Sequence, residues 1–593
     1  MIETIPQVFI NTVKSFQKED LMLHKSGGKY VPVSTSEFEE NVKGFTLGLR
    51  DLGLNAGEKL IILSENRPEW VMANFANLCL GATTVPIYTT LAPEQIRYII
   101  DDSDAKIVVC SNLDLWEKLD VIKDVLDKVT HFICFETGVP EGVLSFREVV
   151  ASGNKLASDE PNLFEKMALR VRPEDVASII YTSGTTGVPK GVMLTHQNLI
   201  SNMMAVCQII DFSSDDTSLS WLPLSHSFEH LVTVVYIYKG VSIGYAESVE
   251  TVAANMQELR PHLLTSVPRL YEKIYSAIME SVLSGSVLKK KIFFWALKTG
   301  KKVGQKKLSG QKVPGLLEMK RKIAHKLVFS KIIAKTGGRV RIFISGAAPL
   351  SKNIAEFFHA LGIVILEGYG LTETSPAITL NTFQHIRFGT VGRPVPGVEV
   401  KIAEDGEILA KGPNIMKGYY NKPAETAEVF DGEWFKTGDV GFIDTDGFIT
   451  ITDRKKDIIV TAGGKNVAPQ QIENLLRTSP FISNALAIGD RRKFVSALIV
   501  PEFDKMESYA KANKISFSSR AELLNDEKIL NKIEEEIAKS TEDLARYEKI
   551  KKFALLKRDF EIEKGEMTPT LKVKRKIVED KHKILIDSFY EES

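Results

Sequence analysis

The chain has 593 residues, 44% hydrophobic and 26% charged, and its 76 Lys and Arg residues balance 76 Asp and Glu. That length exceeds what one hydrophobic core can organise, so at least two domains are expected, about four by length alone, while a formal charge of zero removes the electrostatic case for a nucleic-acid partner. Four cysteines, Cys79, Cys110, Cys134 and Cys207, stand without C-x-x-C spacing, which argues against a disulfide framework or a zinc site and for a reducing compartment.

The opening MIETIPQVFINTVKSF lacks the basic start, apolar core and small-residue cleavage site of a secretory signal. No apolar run approaches the roughly 18 to 20 residues that span a bilayer. A cytoplasmic protein, or one held peripherally at the inner face of the membrane, is expected. From 59 to about 371 short apolar runs alternate with helical patterns, the signature of βαβ units and parallel sheets. KLIILS (59–64) reads as a strand and 67–81 as a helix. TTVPIY precedes a helix from Pro93, and KIVVCS (106–111) and THFICF (130–135) follow as buried strands.

After the apolar run 176–180 comes YTSGTTGVPKG (181–191). Gly184, Gly187 and Gly191 let backbone N–H groups turn toward an anion, Thr182, Ser183, Thr185 and Thr186 add hydroxyls, and Lys190 adds a positive charge. This composition suits a nucleotide triphosphate. It is not the G-x-x-x-x-G-K-[ST] loop, because no hydroxyl residue follows Lys190 and the glycine spacing differs.

Between 289 and 335 stand fifteen Lys or Arg residues and a single acid, Glu318, interleaved with Phe293, Phe294, Trp295 and Leu297. The stretch reads either as a solvated helical insertion or as an amphipathic surface for anionic lipid. VRIFISG, a helix from Ser351 and IVILEGYG then restore the βα pattern. After about 389 the Asp-Gly pairs of EDGE, DGEW and TDGF mark tight antiparallel hairpins, hence a smaller β-rich subdomain. Beyond 453 the chain turns charged and helical, as in 521–539.

YTSGTTGVPKG resembles the AMP-binding signature of the adenylate-forming superfamily. WLPLSHSFEH (221–230), ISGAAPLS (344–351), LEGYGLTET (366–374), GEILAKGPNIMKGYYNKPAET (406–426), WFKTGDVG (434–441), DRKKDIIVTAGGKNVAP (453–469) and MTPTLKVKR (567–575) resemble further family motifs in the family's order. The resemblance implies an α/β fold: a large N-terminal domain, 1–453, of two packed parallel-type sheets with a small β-rich subdomain, and a small mobile α+β domain, 454–593. The basic insertion, about 285–335, makes the chain similar to the long-chain fatty acyl-CoA synthetases within the superfamily.

The implied reaction has two halves. A fatty acid carboxylate attacks the α-phosphorus of ATP and expels pyrophosphate, and coenzyme A then displaces AMP from the acyl-adenylate. By the same resemblance Glu373 is the Mg²⁺ carboxylate and Thr182 the hydroxyl sharing the metal, both hard oxygen donors. Thr372 touches the α-phosphate, Tyr369 stacks on adenine beside Gly370, and Gly346, Ala347 and Ala348 leave space for the base. Asp439 accepts from the ribose hydroxyls and Arg454 adds a contact on the ribose or phosphate side.

The resemblance also implies that Lys572 is the catalytic lysine bridging carboxylate and α-phosphate, with Lys574 and Lys576 as rivals. Its spacing to Arg575 matches the family pattern, although Leu571 replaces a glycine. By the same resemblance Lys456 is the hinge, Gly463 and Gly464 belong to the CoA channel, and His226 either floors the acyl pocket or simply packs. Transfer to a carrier-protein thiol, another carboxylic acid, and a non-catalytic nucleotide-binding protein are the competing readings. Membrane contact through 289–335 and a homodimer stay open.

Overall fold

The computed structural model describes residues 2–182, 188–561, 564–568 and 572–591. Its frame is two large sheets. In the eight-stranded one, Lys59–Leu63 lies between Thr83–Ile87 and Ile107–Cys110, all parallel, with His131–Cys134 and Val143–Ser145 continuing to one edge. The three central runs are buried apart from Lys59 because helices cover a parallel sheet on both faces. The helix Pro68–Leu80 starts on its proline and stops at Gly81, whose φ of +84° is a left-handed value that glycine adopts without strain.

The other edge departs from the parallel expectation. Val176–Thr182 pairs antiparallel with Lys190–Thr195, which pairs antiparallel with Gly418–Tyr419. The connection 183–189 is too short for a crossover, which takes a dozen or more residues, so the chain folds back as a hairpin. Lys190 therefore begins a strand and not a helix, the physical difference from a loop that delivers phosphate to a helix N-terminus.

The nine-stranded sheet has a parallel centre of Ser242–Tyr245, Thr217–Ser220, Leu263–Ser266, Ile342–Ser345 and Ile365–Gly370. Ala377–Leu380 and Arg393–Pro394 extend it antiparallel. The three predicted Asp-Gly hairpins are present in a separate five-stranded sheet, with φ of +84°, +58° and +82° at Gly406, Gly432 and Gly447.

Beyond a turn at 455–457 the chain builds a three-stranded sheet of Ile482–Ile488, Ser496–Pro501 and Lys552–Leu555. Its two apolar clusters draw only on residues from Ile459 onward. The charged helical segment is built as two helices, Arg520–Leu523 and Glu527–Ser540, because the Asp526 carboxylate accepts from the Lys528 and Ile529 N–H groups and starts the second afresh.

The basic stretch folds as helices Val287–Leu308, Gly315–Ala324 and Ser330–Ala334. Phe293, Ala296, Ala324 and Phe329 share a buried cluster with Ile354, Phe357 and Phe358 of the helix Lys352–Leu361. Gly300 lies so close to that helix that a Cβ would stand 2.1 Å from the Ala360 carbonyl oxygen. The stretch is thus an integral layer of the large sheet's cover. Among the described residues no helix is long and apolar enough to cross a membrane.

Candidate active site

The central strands of the nine-stranded sheet end in the segments that carry the expected nucleotide contacts, the position where open α/β sheets present ligands. Ile342–Ser345 runs into Gly346 and Ala347; Ala347 holds a φ of +65°, a strained turn for a residue bearing a Cβ. A Cβ on Gly346 would meet the Phe228 ring at 3.0 Å. Gly370 is more restrictive still, since a Cβ there would stand 1.6 Å from the Pro376 carbonyl oxygen.

Glu367 fixes the two segments to each other. Its Oε1 accepts from the Leu350 N–H at 2.9 Å inside the core, and burial pushes its pKa from 4.5 to about 8. The folded protein keeps this proton where the unfolded chain releases it. Stability that Glu367 contributes below about pH 4.5 is therefore lost progressively as pH rises toward about 8. Glu367→Gln, which mimics the protonated group, is expected to recover on the order of 3 kcal/mol at pH 8 and little at pH 5. Thermal unfolding at both pH values checks this, and equal shifts at the two would contradict it.

Tyr369, Asp439 and Arg454 form one hydrogen-bonded group. The Tyr369 hydroxyl donates to Asp439 Oδ2 at 2.7 Å and Arg454 Nε donates to Oδ1 at 3.2 Å. Asp439 and Arg454 are direct cross-strand partners in the small sheet, so a hairpin sets their spacing across fifteen residues of sequence. Burial works against the Arg454 charge, yet Asp439 outweighs it and holds the guanidinium above its ordinary pKa.

Glu373, Tyr419 and Lys190 form a second group. The Tyr419 hydroxyl donates to Glu373 Oε1 at 2.9 Å, and the Lys190 ammonium stands 5.1 Å from the Tyr419 ring centroid. Thr182 is the register partner of Lys190. The edge strand Gly418–Tyr419 thereby links Lys190 to the Glu373 carboxylate, with Thr182 on the next strand. Ser183, Gly184, Thr185, Thr186 and Gly187 lie outside the described residues.

Lys572 joins both groups from the C-terminal portion. Met567 and Val573 pair as a bridge, the Lys572 N–H donates to Thr568 Oγ1 at 3.1 Å, and the Thr568 N–H donates back to the Lys572 carbonyl at 2.8 Å. The turn is anchored by Glu566, buried and paired with Arg558 at 2.6 Å and Lys581 at 3.1 Å; the Arg558 hydrogen bonds foremost hold its pKa down to about 2. Arg575 is bound elsewhere, to Glu473 at 2.7 Å and the Ala487 carbonyl at 2.6 Å. It positions the segment.

Lys572 is an exposed residue, yet protein atoms gather around its ammonium end. That crowding, and next Arg454, lower its pKa, while Asp439 and Glu373 act in the opposite sense. Lys572 also acts on His226. Burial first and Lys572 second bring the His226 pKa from 6.5 to about 4, so the imidazole is neutral near neutral pH. His226 caps the helix Ser227–Lys239, its Nδ1 accepting from the Phe228 N–H at 3.2 Å.

The Ser227 hydroxyl lies 3.2 Å from that of Thr372. Behind them on the same helix Glu229 is buried, accepts from Thr265 at 3.2 Å, and is pushed up by burial to about 7. Tyr419, Ser227 and Phe228 sit inside the motifs quoted from the sequence, yet no spacing there marks them. Their roles arise from an edge-strand pairing and a helix start.

Lys456 lies in the turn 455–457. Its neighbour Lys455 bonds Asp405 at 2.6 Å and Glu407 at 2.8 Å, tying that turn to the small sheet. Gly463 and Gly464 form the exposed turn between Ile459–Val460 and Asn466–Val467, with open space where a Cβ would stand. The described contacts do not bring these glycines into the Lys572 cluster. The two portions of the chain also touch where Arg269 Nη2 donates to Ser483 Oγ at 3.0 Å and where Lys505 pairs with Glu280.

The profile of the AMP-binding enzyme family matches residues 13–420, and that of the AMP-binding enzyme C-terminal domain matches 456–593. The long-chain-fatty-acid–CoA ligase FadD15 of Mycobacterium bovis is 35% identical over 95% of this chain and 93% of its own length. The peroxisomal long chain acyl-CoA synthetase 7 of Arabidopsis thaliana is 32% identical over 97% of this chain and 84% of its own. Among solved structures, the anthranilate CoA ligase AuaEII in complex with anthranoyl-AMP superposes with a TM-score of 0.75 at 20% identity, covering 98% of each chain, a likeness of fold.

Proposed function

The chain belongs to the AMP-binding enzyme family, and from that premise we propose that it is an ATP-dependent long-chain fatty acid:CoA ligase that forms an acyl-adenylate and releases pyrophosphate and AMP. The observation that carries this reading is the convergence on Lys572. A lysine near the C-terminus lies within electrostatic reach of Glu373, Asp439, Arg454 and His226. These residues come from segments far apart in the chain, and the attack of a carboxylate on a triphosphate calls for such an array of charges because two anions must meet.

Each side chain then has a task. Asp439 and Arg454 orient the ribose, and Tyr369 bounds the base, with Gly346 and Ala347 leaving room beside it. Thr372 and Ser227 offer hydroxyls at the α-phosphate. Lys572 donates to the carboxylate and the phosphorus-bound oxygen as charge develops between them. Neutral His226 offers no competing positive charge to the acid's headgroup. The long-chain assignment draws on the named relatives, and the two-domain division near Lys456 on the separate C-terminal cores. Gly463 and Gly464 border the CoA route after the C-terminal portion has turned about Lys456, a conformational step that lets one centre serve two half-reactions.

A Mg²⁺ ion fits Glu373 and Thr182, a hard-oxygen pair of the sort that supplements substrate phosphates and water. When bound, it neutralises phosphate charge. Tyr419, through its hydrogen bond to Oε1, orients the Glu373 carboxylate for that contact. Tyr419→Phe is expected to raise the Mg²⁺ concentration for half-maximal rate about tenfold; a titration that overlays the parent's would contradict this role.

Pyrophosphate release measured over acids from acetate to stearate, with CoA and with a phosphopantetheinylated carrier protein in its place, tests the whole reading. The highest kcat/KM is expected with palmitate-like acids and CoA. A preference for an aryl or short acid, or for the carrier protein, would replace it.

A further inference from the structure

The basic helical hairpin 287–335 plays no part in the chemistry above, and its surface is unusual in two respects. The first helix buries Phe293, Ala296, Gly300 and Val303. The opposite face starts with Val287 and Leu288, both about two-thirds exposed at 68% and 67%, and continues through Phe294 and Trp295. Lys291, Lys298 and Lys302 are exposed at positions that interleave with these at helical spacing. The second helix repeats the arrangement. Leu316, Met319 and Ile323 recur at i, i+3 and i+7 and are exposed, with Lys320 beside them, and exposed Lys326 and Leu327 follow in the π-helical turn His325–Phe329.

The second respect is charge. This stretch holds fifteen basic residues and one acid in a chain that has 76 of each. Among the described residues two of the fifteen reach an acid, Arg321 to Glu318 and Lys301 to Glu356. Positive charge is therefore concentrated here and left facing outward around apolar side chains.

We propose that the hairpin is a docking surface for an anionic lipid bilayer, with Phe294, Trp295, Leu316 and Ile323 entering the headgroup region and the interleaved lysines meeting lipid phosphates. A second copy of the chain is a poor occupant, because it would bring the same positive field against this one. A nucleic acid would satisfy the lysines but leave the apolar faces in water. A bilayer satisfies both, since apolar burial and attraction to anionic lipid add on one surface. The hairpin rests on the helix that covers the Ile342–Ser345 strand, so docking would hold the large sheet against the phase in which long-chain acids dissolve.

The test uses the full chain and vesicles of phosphatidylcholine, alone or with about 30% phosphatidylglycerol, in a sedimentation assay. The parent is expected to bind the anionic vesicles at least about tenfold more tightly than the neutral ones, and to be released on going from about 0.1 to about 0.5 M salt. Lys291→Glu/Lys298→Glu/Lys302→Glu and, separately, Trp295→Glu/Leu316→Glu should each cost about tenfold or more while leaving turnover of octanoate and the unfolding midpoint unchanged. Quenching of Trp295 by brominated lipid, read as parent minus Trp295→Phe, reports insertion without depending on either multiple variant. Equal binding by parent and both variants, no Trp295 quenching, binding of duplex nucleic acid in preference to vesicles, or a dimer that the variants dissociate in the absence of lipid would each overturn the proposal.

Discussion

Lys572→Ala is expected to slow acyl-adenylate formation about 10²- to 10³-fold, the effect of removing one preorganised donor from a developing anion. The variant should still form acyl-CoA from supplied acyl-adenylate within a few-fold of the parent, since that half-reaction is assigned to another arrangement of the C-terminal portion. Lys574→Ala and Lys576→Ala are the controls. The Lys574 N–H is bonded to the Glu566 carbonyl at 2.7 Å and the residue immediately precedes the helix Arg575–Lys581, whereas the Lys572 ammonium lies within electrostatic reach of Asp439 and Glu373. Stopped-flow pyrophosphate release separates the half-reactions. A Lys572→Ala enzyme with the parental burst, or a Lys576→Ala enzyme without one, would assign the role elsewhere.

The second large effect is expected at Asp439. Asparagine preserves the shape and can still accept from Tyr369, but it removes the charge that holds Arg454 and opposes the crowding around Lys572. If Asp439 and Arg454 orient the ribose as proposed, two charge-assisted contacts are weakened at once, so KM for ATP should rise about 30- to 100-fold while kcat falls less. Arg454→Lys retains a cation without the guanidinium's fixed geometry and should give a smaller rise of the same sign. Initial-rate kinetics with ATP varied at saturating acid and CoA decide the matter. An unchanged KM in Asp439→Asn would remove the ribose assignment.

Local chemistry made much of this fold readable. Val- and Ile-rich runs such as KLIIL became buried parallel strands, and Asp-Gly pairs at Gly406, Gly432 and Gly447 became hairpins, because burial on both faces and a positive φ are demands that few residues meet. The antiparallel return of Lys190–Thr195 was less legible. It follows from the length of a connection whose composition suggests only an anion site. Asp439 and Arg454 were legible as motif residues, but their pairing is a matter of strand register.

Tyr419 shows where sequence reasoning stops. Nothing local distinguishes it from Tyr420, and only the pairing of Gly418–Tyr419 with Lys190–Thr195 sends its hydroxyl to Glu373. Lys572 likewise depends on a turn whose anchor, Glu566, is bound by Arg558 and Lys581. Arg575, legible as part of the same motif, turns out to hold that segment in place through Glu473 and Ala487. The exposure of Leu316, Met319 and Ile323 could not be read from composition alone, because the same heptad-like spacing would serve equally well for a buried face.

The central claim is that the site around Lys572, Glu373 and Asp439 joins a carboxylate to the α-phosphorus of ATP. The most direct measurement follows ATP labelled at that phosphorus through a single turnover with palmitate. Label is expected in an acyl-adenylate when CoA is withheld and in AMP when it is added, with unlabelled pyrophosphate in both; label appearing in ADP would contradict the account.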